Sequence, residues 1–350
     1  MENKDVLLRV EHLRQYFKDG KKDFKAVDDV SFEVMKGEVF GLVGESGCGK
    51  TTTGRSIIKL YTPTGGNVYY KGERISAGLR DYHERIAAYK QEMKTAGAVR
   101  KDELRRLIEQ EKKALSEAVA INKKYKTVTD IQMIFQDPIA SLNPRMTVRE
   151  IIAEGLRIQG IRDERIIDEK VYSILETVGL VREHAGRYPH EFSGGQRQRI
   201  GIARSIIMNP GLIIADEPIS ALDVSIQAQV INLLNELRQQ MDLTILFIAH
   251  DLSVVKYFSD RIAVMYFGKI VEMADSEELF KHPLHPYTKS LLSAIPYPDP
   301  HYEKKRKRMV YKPEEAHDYS GEGPKLREVI PGHFVSCNSA ELKKYQREIH

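Results

Sequence analysis

The chain has 350 residues, 41% of them hydrophobic, and a formal net charge of +4, enough apolar material for one large core or two smaller ones, which excludes a disordered or fibrous polymer. Two cysteines, Cys48 and Cys337, exclude a disulfide framework and a four-thiolate metal site and fit a reducing cytoplasm, and no run approaches the roughly 18 apolar residues of a membrane helix. Residues 80–126 hold 13 Lys/Arg against 8 Asp/Glu, so the remainder is close to neutral and a uniformly basic nucleic-acid surface is excluded as well.

The opening Met1-Glu2-Asn3-Lys4-Asp5 lacks a basic segment followed by an apolar stretch, so no secretory leader is expected there. Leu7 to Val10 and Val30 to Val34 alternate like strands, and Glu38 to Val43 reads as a buried strand. It feeds Gly44-Glu45-Ser46-Gly47-Cys48-Gly49-Lys50-Thr51, the pattern G-x-x-x-x-G-K-[ST], ahead of a helical run from Thr52 to Leu60. Glycines let backbone N–H groups turn toward a phosphate chain, and the helix N-terminus adds positive partial charge. Lys50 suits the β/γ-phosphates and the Thr51 hydroxyl suits Mg²⁺.

After the turn Pro63-Thr64-Gly65-Gly66, Asn67 to Gly72 reads as another strand. From Leu79 to about Thr127 the sequence becomes charge-dense and helical. Tyr82, Ile86, Tyr89 and Met93 form one apolar stripe and Leu104, Ile108, Leu115 and Val119 a second, with Gly97 between, which predicts a two-helix hairpin with a mostly solvated exterior.

Asp130 to Phe135 returns to a buried strand ending in Gln136-Asp137-Pro138, and helical patterns follow over Val148 to Gln159 and Glu164 to Val178. Ser193-Gly194-Gly195-Gln196 opens a helix to about Met208, and Leu212 to Ala215 is a short strand ending in Asp216-Glu217-Pro218. Asp223 to Gln240 is an amphipathic helix, Leu243 to Ala249 a buried strand ending at His250, and Ile262 to Met273 a hairpin around Gly268. Strands alternating with helices, with the polar groups at strand C-termini, imply a mainly parallel α/β sheet. Past Lys281 come His282-Pro283-Leu284-His285-Pro286-Tyr287, a short helix from Thr288 to Ala294, the basic run Lys304 to Arg308, and a tail to His350 that reads as irregular.

Two consecutive acids at a strand end, downstream of a phosphate loop, are what hydrolysis of a nucleoside triphosphate needs. Asp216 would hold Mg²⁺ or its water, and Glu217 would polarise the attacking water. Gln136 supplies an amide for the metal shell and the water, and His250 a hydrogen bond to the γ-phosphate. Ser193-Gly194-Gly195-Gln196 exposes amides at a second helix N-terminus, a second anion site, which suggests a nucleotide sandwiched between two chains.

The phosphate loop, Gln136, Ser193-Gly194-Gly195-Gln196, Asp216-Glu217, Ser220-Ala221-Leu222-Asp223 and His250, in this order, resemble the Walker A, Q-loop, signature, Walker B, D-loop and H-switch elements of an ABC-transporter ATPase subunit. Phe135-Gln136-Asp137-Pro138 with Ser141-Leu142-Asn143-Pro144-Arg145, His285-Pro286-Tyr287-Thr288 with Leu291 to Pro296, and Ile330-Pro331-Gly332-His333-Phe334 are similar to the oligopeptide/dipeptide importer branch, although nickel importers share much of this.

The resemblance implies an ATPase domain over 5–275, with the inserted hairpin at about 79–127 and a helical subdomain at about 137–208, followed by a C-terminal extension over 276–350. It implies an antiparallel β subdomain beside the parallel core. Gly44, Ser46, Gly47, Gly49, Lys50, Thr51 and Thr52 would bind ATP phosphates, and Thr51, Gln136 and Asp216 would serve Mg²⁺. Phe17, with Tyr16 as alternative, would stack on adenine. Glu217 would be the catalytic base, with His250 and Gln136 beside it. Ser193, Gly194, Gly195 and Gln196 would engage ATP held by the opposite subunit, and Asp223 would cross the same interface.

The implied partners are a second, homologous but non-identical ATPase subunit, two membrane-spanning permease subunits and an extracytoplasmic peptide-binding protein, with the chain peripheral on the cytoplasmic side of the cell membrane. Tails in this branch often carry several cysteines that ligate an iron–sulfur cluster; here only Cys337 stands in the tail, so no cluster is expected. A DNA-acting ATPase with the same head is the rival, but it would insert a far longer coiled coil and lack the His-Pro-Tyr segment. A GTPase would want Asn-Lys-x-Asp, and Asn122-Lys123-Lys124-Tyr125 fails at its last position. No nucleic-acid partner is expected.

Overall fold

The computed structural model describes residues 5–20, 22–125, 128–220, 222–295 and 309–349. It divides into two compact units, one of Met1–Met35, Ser46–Val128 and Tyr266–Ile270, the other of Lys36–Glu45, Thr129–Met265 and Val271–His350. Its first elements are β1 (Val6–Asp19), β2 (Lys22–Met35), β3 (Val39–Val43), α1 (Lys50–Ile57), β4 (Gly65–Tyr70), β5 (Glu73–Ala77), α2 (Arg80–Glu92) and α3 (Ala98–Lys124).

In the first unit, β2-β1-β4-β5 form an antiparallel sheet. β1 and β2 run well beyond the short strands expected, because their outer residues are polar and a register shift between Val10 and Leu13 breaks the alternation that reveals a strand. The hairpin forms as expected, with Gly97 in extended conformation between the helices. Ile86, Leu104 and Ile108 are buried, as is Ala118, while Tyr82, Tyr89, Met93, Leu115 and Val119 are half-buried. Arg85 spans the two helices with paired bonds to Glu111 at 2.8 and 3.0 Å. At the base, Asn122 Oδ1 accepts the Ala77 N–H at 3.0 Å and Asn122 Nδ2 donates to the Ala77 carbonyl at 2.8 Å. One side chain thus completes the backbone bonding of β5. Lys59 adds bonds from Nζ to the carbonyls of Ile75, Asn122 and Tyr125.

The second unit continues with β6 (Ile131–Ile134), α4 (Val148–Ile158), α5 (Glu164–Thr177), α6 (Gly194–Ile206), β7 (Leu212–Asp216), α7 (Val224–Met241), β8 (Thr244–Ala249), α8 (Leu252–Phe258), β9 (Arg261–Tyr266), β10 (Lys269–Asp275), α9 (Ser276–Lys281), α10 (Pro286–Ser293), β11 (Lys325–Ile330) and β12 (His333–Cys337). Its eight-stranded sheet has the order β11-β12-β10-β9-β3-β8-β7-β6. The five strands β9, β3, β8, β7 and β6 run parallel to one another. Every residue of β3, β7 and β8 is buried, the expected result where both faces of a parallel sheet are covered. Thr147 and Glu150 form a capping box at the start of α4.

The tail departs from the expectation of irregular structure. β11 and β12 make a hairpin, β12 pairs antiparallel with β10 through Glu272 with Val335 and Met273 with Phe334, and a final helix spans Ser339–Ile349. Leu284, Val329, Val335, Cys337 and Tyr345 close a small apolar cluster there. Lys325-Leu326-Arg327-Glu328 carries too many charges to read as a strand alone; β12 supplies the pairing partner. The basic run Lys304 to Arg308 and Ala221 lie outside the described residues.

Candidate functional site

The phosphate loop leaves the buried strand β3 at Gly44. Gly47 and Gly49 adopt φ of 81° and 109°, a region that side chains avoid, so glycine is required for the loop to curl back on its own amides. Gly49 is the N-cap of α1, with no side-chain cap bond and no acid in the first turn. A helix N-terminus of this kind favours a nearby anion. Lys50 is 4% exposed, its Nζ 3.9 Å from Cys48 Sγ, and burial pushes the Cys48 thiol pKa up. Ser46 is exposed, and Thr51 and Thr52 are half-buried.

Of the two aromatic candidates, Tyr16 is heavily engaged. Its hydroxyl donates to Asp28, Lys25 and Arg80 sit over its ring at 5.3 and 5.4 Å, and burial, with Asp28 beside it, raises its pKa. Phe17 is half-buried, with Tyr61 edge-on at 5.3 Å.

Three strand ends meet at Glu217. Gln136, two residues beyond β6, donates from Nε2 to Glu217 Oε2 at 3.0 Å. His250, directly after β8, places Nδ1 3.2 Å from the same oxygen. Glu217 follows Asp216, the fully buried last residue of β7, and has φ of 45°. A non-glycine residue held there stores on the order of 1–3 kcal/mol of strain and persists only where its neighbours fix it. Here they do: the Glu217 N–H donates to the Ile248 carbonyl at 2.9 Å, and its carbonyl accepts from the Ser220 amide and hydroxyl at 3.2 and 3.1 Å. The backbone reversal separates the roles of two adjacent acids, Asp216 buried in the sheet and Glu217 turned to the two strand-end side chains.

Arg204 of α6 ties the Gln136 segment to the helical region. Its Nη1 donates to the Ser141 carbonyl at 2.5 Å and its guanidinium lies 5.8 Å from the Phe135 ring. Burial lowers the Arg204 pKa. Sequence reading missed this residue, because one arginine in a helix rich in arginine carries no local signal.

Ser193 is the N-cap of α6 and forms a reciprocal box with Gln196: Ser193 Oγ accepts the Gln196 N–H at 3.3 Å, and Gln196 Oε1 accepts the Ser193 N–H at 3.0 Å. Ser193 and Gly194 are exposed. A Cβ on Gly195 would come within 2.7 Å of Ile226 Cγ2, so Gly195 is also a packing requirement against α7. Asp223 is the exposed N-cap of α7 without a side-chain cap bond, followed by Val224 at 81% exposure. A second contact missed in the sequence joins Tyr287 to the phosphate loop: the Glu45 N–H donates to the Tyr287 hydroxyl at 3.1 Å.

The ABC transporter family model matches in two overlapping segments, residues 27–129 and 104–220, and the model for the oligopeptide/dipeptide transporter C-terminal region matches residues 271–323. The chain is 54% identical over 344 residues to the oligopeptide transport ATP-binding protein OppF of Bacillus subtilis, covering 97% of this chain and 99% of the relative. It is 48% identical to the oligopeptide transport ATP-binding protein AmiF of Streptococcus pneumoniae over 347 residues, 99% of each chain. Among solved structures, the ATP-binding cassette MJ0796 in a post-hydrolysis dimer with ADP and Pi superposes with a TM-score of 0.58 at 24% identity, covering 77% of this chain and 99% of that one. CbiO1 of Clostridium perfringens also gives 0.58, at 23% identity, covering 79% and 91%. These two likenesses concern the fold.

Proposed function

Because the chain belongs to the ABC transporter ATP-binding family and carries the oligopeptide/dipeptide transporter C-terminal region, we propose that it hydrolyses ATP to drive uptake of oligopeptides or dipeptides through separate membrane-spanning subunits. The observation that carries the ATPase reading is the Glu217 carboxylate, fixed by a strained backbone and contacted by Gln136 and His250. Near-complete alignment with curated oligopeptide transport ATP-binding proteins supports the cargo class.

In this reading Gly44 and the amides from Ser46 to Thr51, with Lys50 and Thr52, bind the phosphates, and Phe17 stacks on adenine. Glu217 takes the proton of the attacking water. Gln136 and His250 hold that carboxylate in place and orient the water and the γ-phosphate. Ser193, Gly194, Gly195 and Gln196 meet ATP held by a second subunit, and Asp223 lies at the same interface. The hydroxyl of Thr51, the carboxylate of Asp216 and the amide oxygen of Gln136 are hard oxygen donors of the type Mg²⁺ takes, and these would hold it. Held there, Mg²⁺ would supply charge neutralisation for the phosphate chain.

Residues 5–275 form the ATPase domain and 276–350 the extension, a division that the matched segments support. The chain works at the cytoplasmic face of the membrane with a homologous second ATPase subunit, two permeases and an extracytoplasmic peptide-binding protein. No described helix is long and apolar enough to cross a membrane. Membrane vesicles containing the assembled complex test the proposal: ATP-dependent accumulation of labelled oligopeptide is expected. Accumulation of nickel with no peptide uptake, or salt-sensitive retention on DNA with no membrane partner, would overturn it.

A further inference from the structure

Tyr287 is 2% exposed on α10, and its position is set by a chain of buried polar contacts. Pro286 begins α10 and His285 caps it, its Nδ1 accepting the Tyr287 N–H at 3.2 Å. The backbone N–H groups of Leu284 and His285 donate to the two carboxylate oxygens of Glu272 at 2.7 and 3.0 Å. Glu272, on β10, is 0% exposed, and its Oε1 lies 2.8 Å from Nε2 of the equally buried His333 on β12. Burial pushes the His285 pKa down to about 3, so its ring stays neutral and Nδ1 keeps the lone pair that receives the Tyr287 amide. The tail hairpin, Glu272, the start of α10 and the phosphate loop are thereby joined in series.

We propose that Tyr287 is a positioning residue for ATP binding, its hydroxyl fixing the phosphate loop at Glu45, one residue beyond Gly44. The proposal rests on the ATP-hydrolysing reading above. A loop with glycines at 44, 47 and 49 has many accessible conformations, and ordering costs on the order of 1–2 kcal/mol per residue. A bond at its first turn removes part of that cost before nucleotide arrives. Tyr287 engages the amide of Glu45, upstream of the amides from Ser46 onward assigned to phosphate, so it acts on the loop's shape. Its loss should therefore weaken nucleotide binding and leave the chemical step, at Glu217, unchanged.

Tyr287→Phe in the full-length chain keeps the ring and its packing against Tyr311, 5.5 Å away, and removes only the hydroxyl. Loss of one neutral hydrogen bond predicts a rise of about 3- to 10-fold both in Kd for a fluorescent ATP analogue and in KM for ATP, with kcat within about twofold of wild type. Tyr345→Phe, in the tail's apolar cluster, should leave both constants within about twofold, which separates the loop contact from general loosening of the tail. A Tyr287→Phe Kd within about twofold of wild type, or a fall in kcat at unchanged KM, overturns the proposal. If the wild-type chain hydrolyses no ATP even when assembled with its second ATPase subunit, the ATPase reading is what fails, and the Kd comparison still decides the role of Tyr287.

Discussion

Gln136 and Glu217, 81 positions apart in sequence, share a hydrogen bond of 3.0 Å from amide to carboxylate, and His250 reaches the same oxygen at 3.2 Å. A general base that two neighbours hold should be lost at full catalytic cost when its charge is removed. Glu217→Gln is expected to cut ATP hydrolysis by about 10²- to 10⁴-fold while ATP still binds. Phosphate release and nucleotide titration check this; a variant that keeps more than a tenth of wild-type turnover would assign the base elsewhere.

Gln136 sits where β6 leaves the sheet for the helical region, whose α6 grips the flanking Phe135 and Ser141 through Arg204. Gln136→Ala is therefore expected to lower substrate uptake more than ATP hydrolysis in vesicles holding the assembled complex. Unchanged uptake per ATP hydrolysed counts against a coupling role.

Ser193 has two duties that substitutions can separate. Ser193→Ala removes the cap and should cost about 1 kcal/mol of stability. Ser193→Asp can still cap α6 but sets a negative charge where a partner's triphosphate is proposed to bind. On the Glu217→Gln background both variants should fail to associate with the second ATPase subunit in the presence of ATP in size-exclusion chromatography, and only Ser193→Ala should unfold at lower urea. Persistent ATP-dependent association of Ser193→Asp with that subunit would refute the trans contact.

The inserted hairpin is anchored at its base. Asn122→Ala would leave the N–H and C=O of the fully buried Ala77 without these two bonds, at about 1–3 kcal/mol each if neither finds water. Replacing residues 94–100 by a short Gly-Ser turn keeps Arg85, Met93, Leu104, Glu111 and Asn122 and should change stability little. Urea titration of the two variants decides; if the shortened hairpin is the less stable, its outer part is packed against something structural.

His285 makes folding pH-dependent. Its pKa falls from the ordinary 6.5 to about 3 in the folded chain, through burial first and then the neighbouring His317 and Lys289. Below pH 6.5 the unfolded chain takes up a proton that the folded chain refuses. This contribution is therefore fully present above pH 6.5 and declines by up to about 1.4 kcal/mol per pH unit as the pH falls from 6.5 toward 3. Denaturant titrations at pH 7.5 and 5.0 should show the loss, and His285→Asn, which can still cap α10, should reduce it. An identical pH dependence in the variant would remove His285 from the explanation.

Local chemistry made much of the molecule legible in advance. The phosphate loop could be read because glycine spacing, lysine and threonine are consecutive, and the strands β3, β7 and β8 because burial on both faces demands unbroken apolar runs. The hairpin was legible from its 3.6-residue stripes. The long β1 and β2 were not, since a register shift and polar outer residues erase the period. The tail strands were not either, since their charged sequence becomes β structure only by pairing with β10.

By itself, the sequence determined which groups are available: a loop able to hold phosphate, two adjacent acids, a glutamine and a histidine at strand ends, and a serine-capped helix. Those depend on neighbours within a few positions, where backbone preference and side-chain chemistry act directly. Only the tertiary structure decided that Gln136 and His250 converge on one oxygen of Glu217, that Asn122 completes β5, and that Tyr287 reaches Glu45 across 242 positions. The first is fixed by strand order in a sheet and the other two by the docking of α3 and α10 on distant segments, and no window of local sequence contains that information.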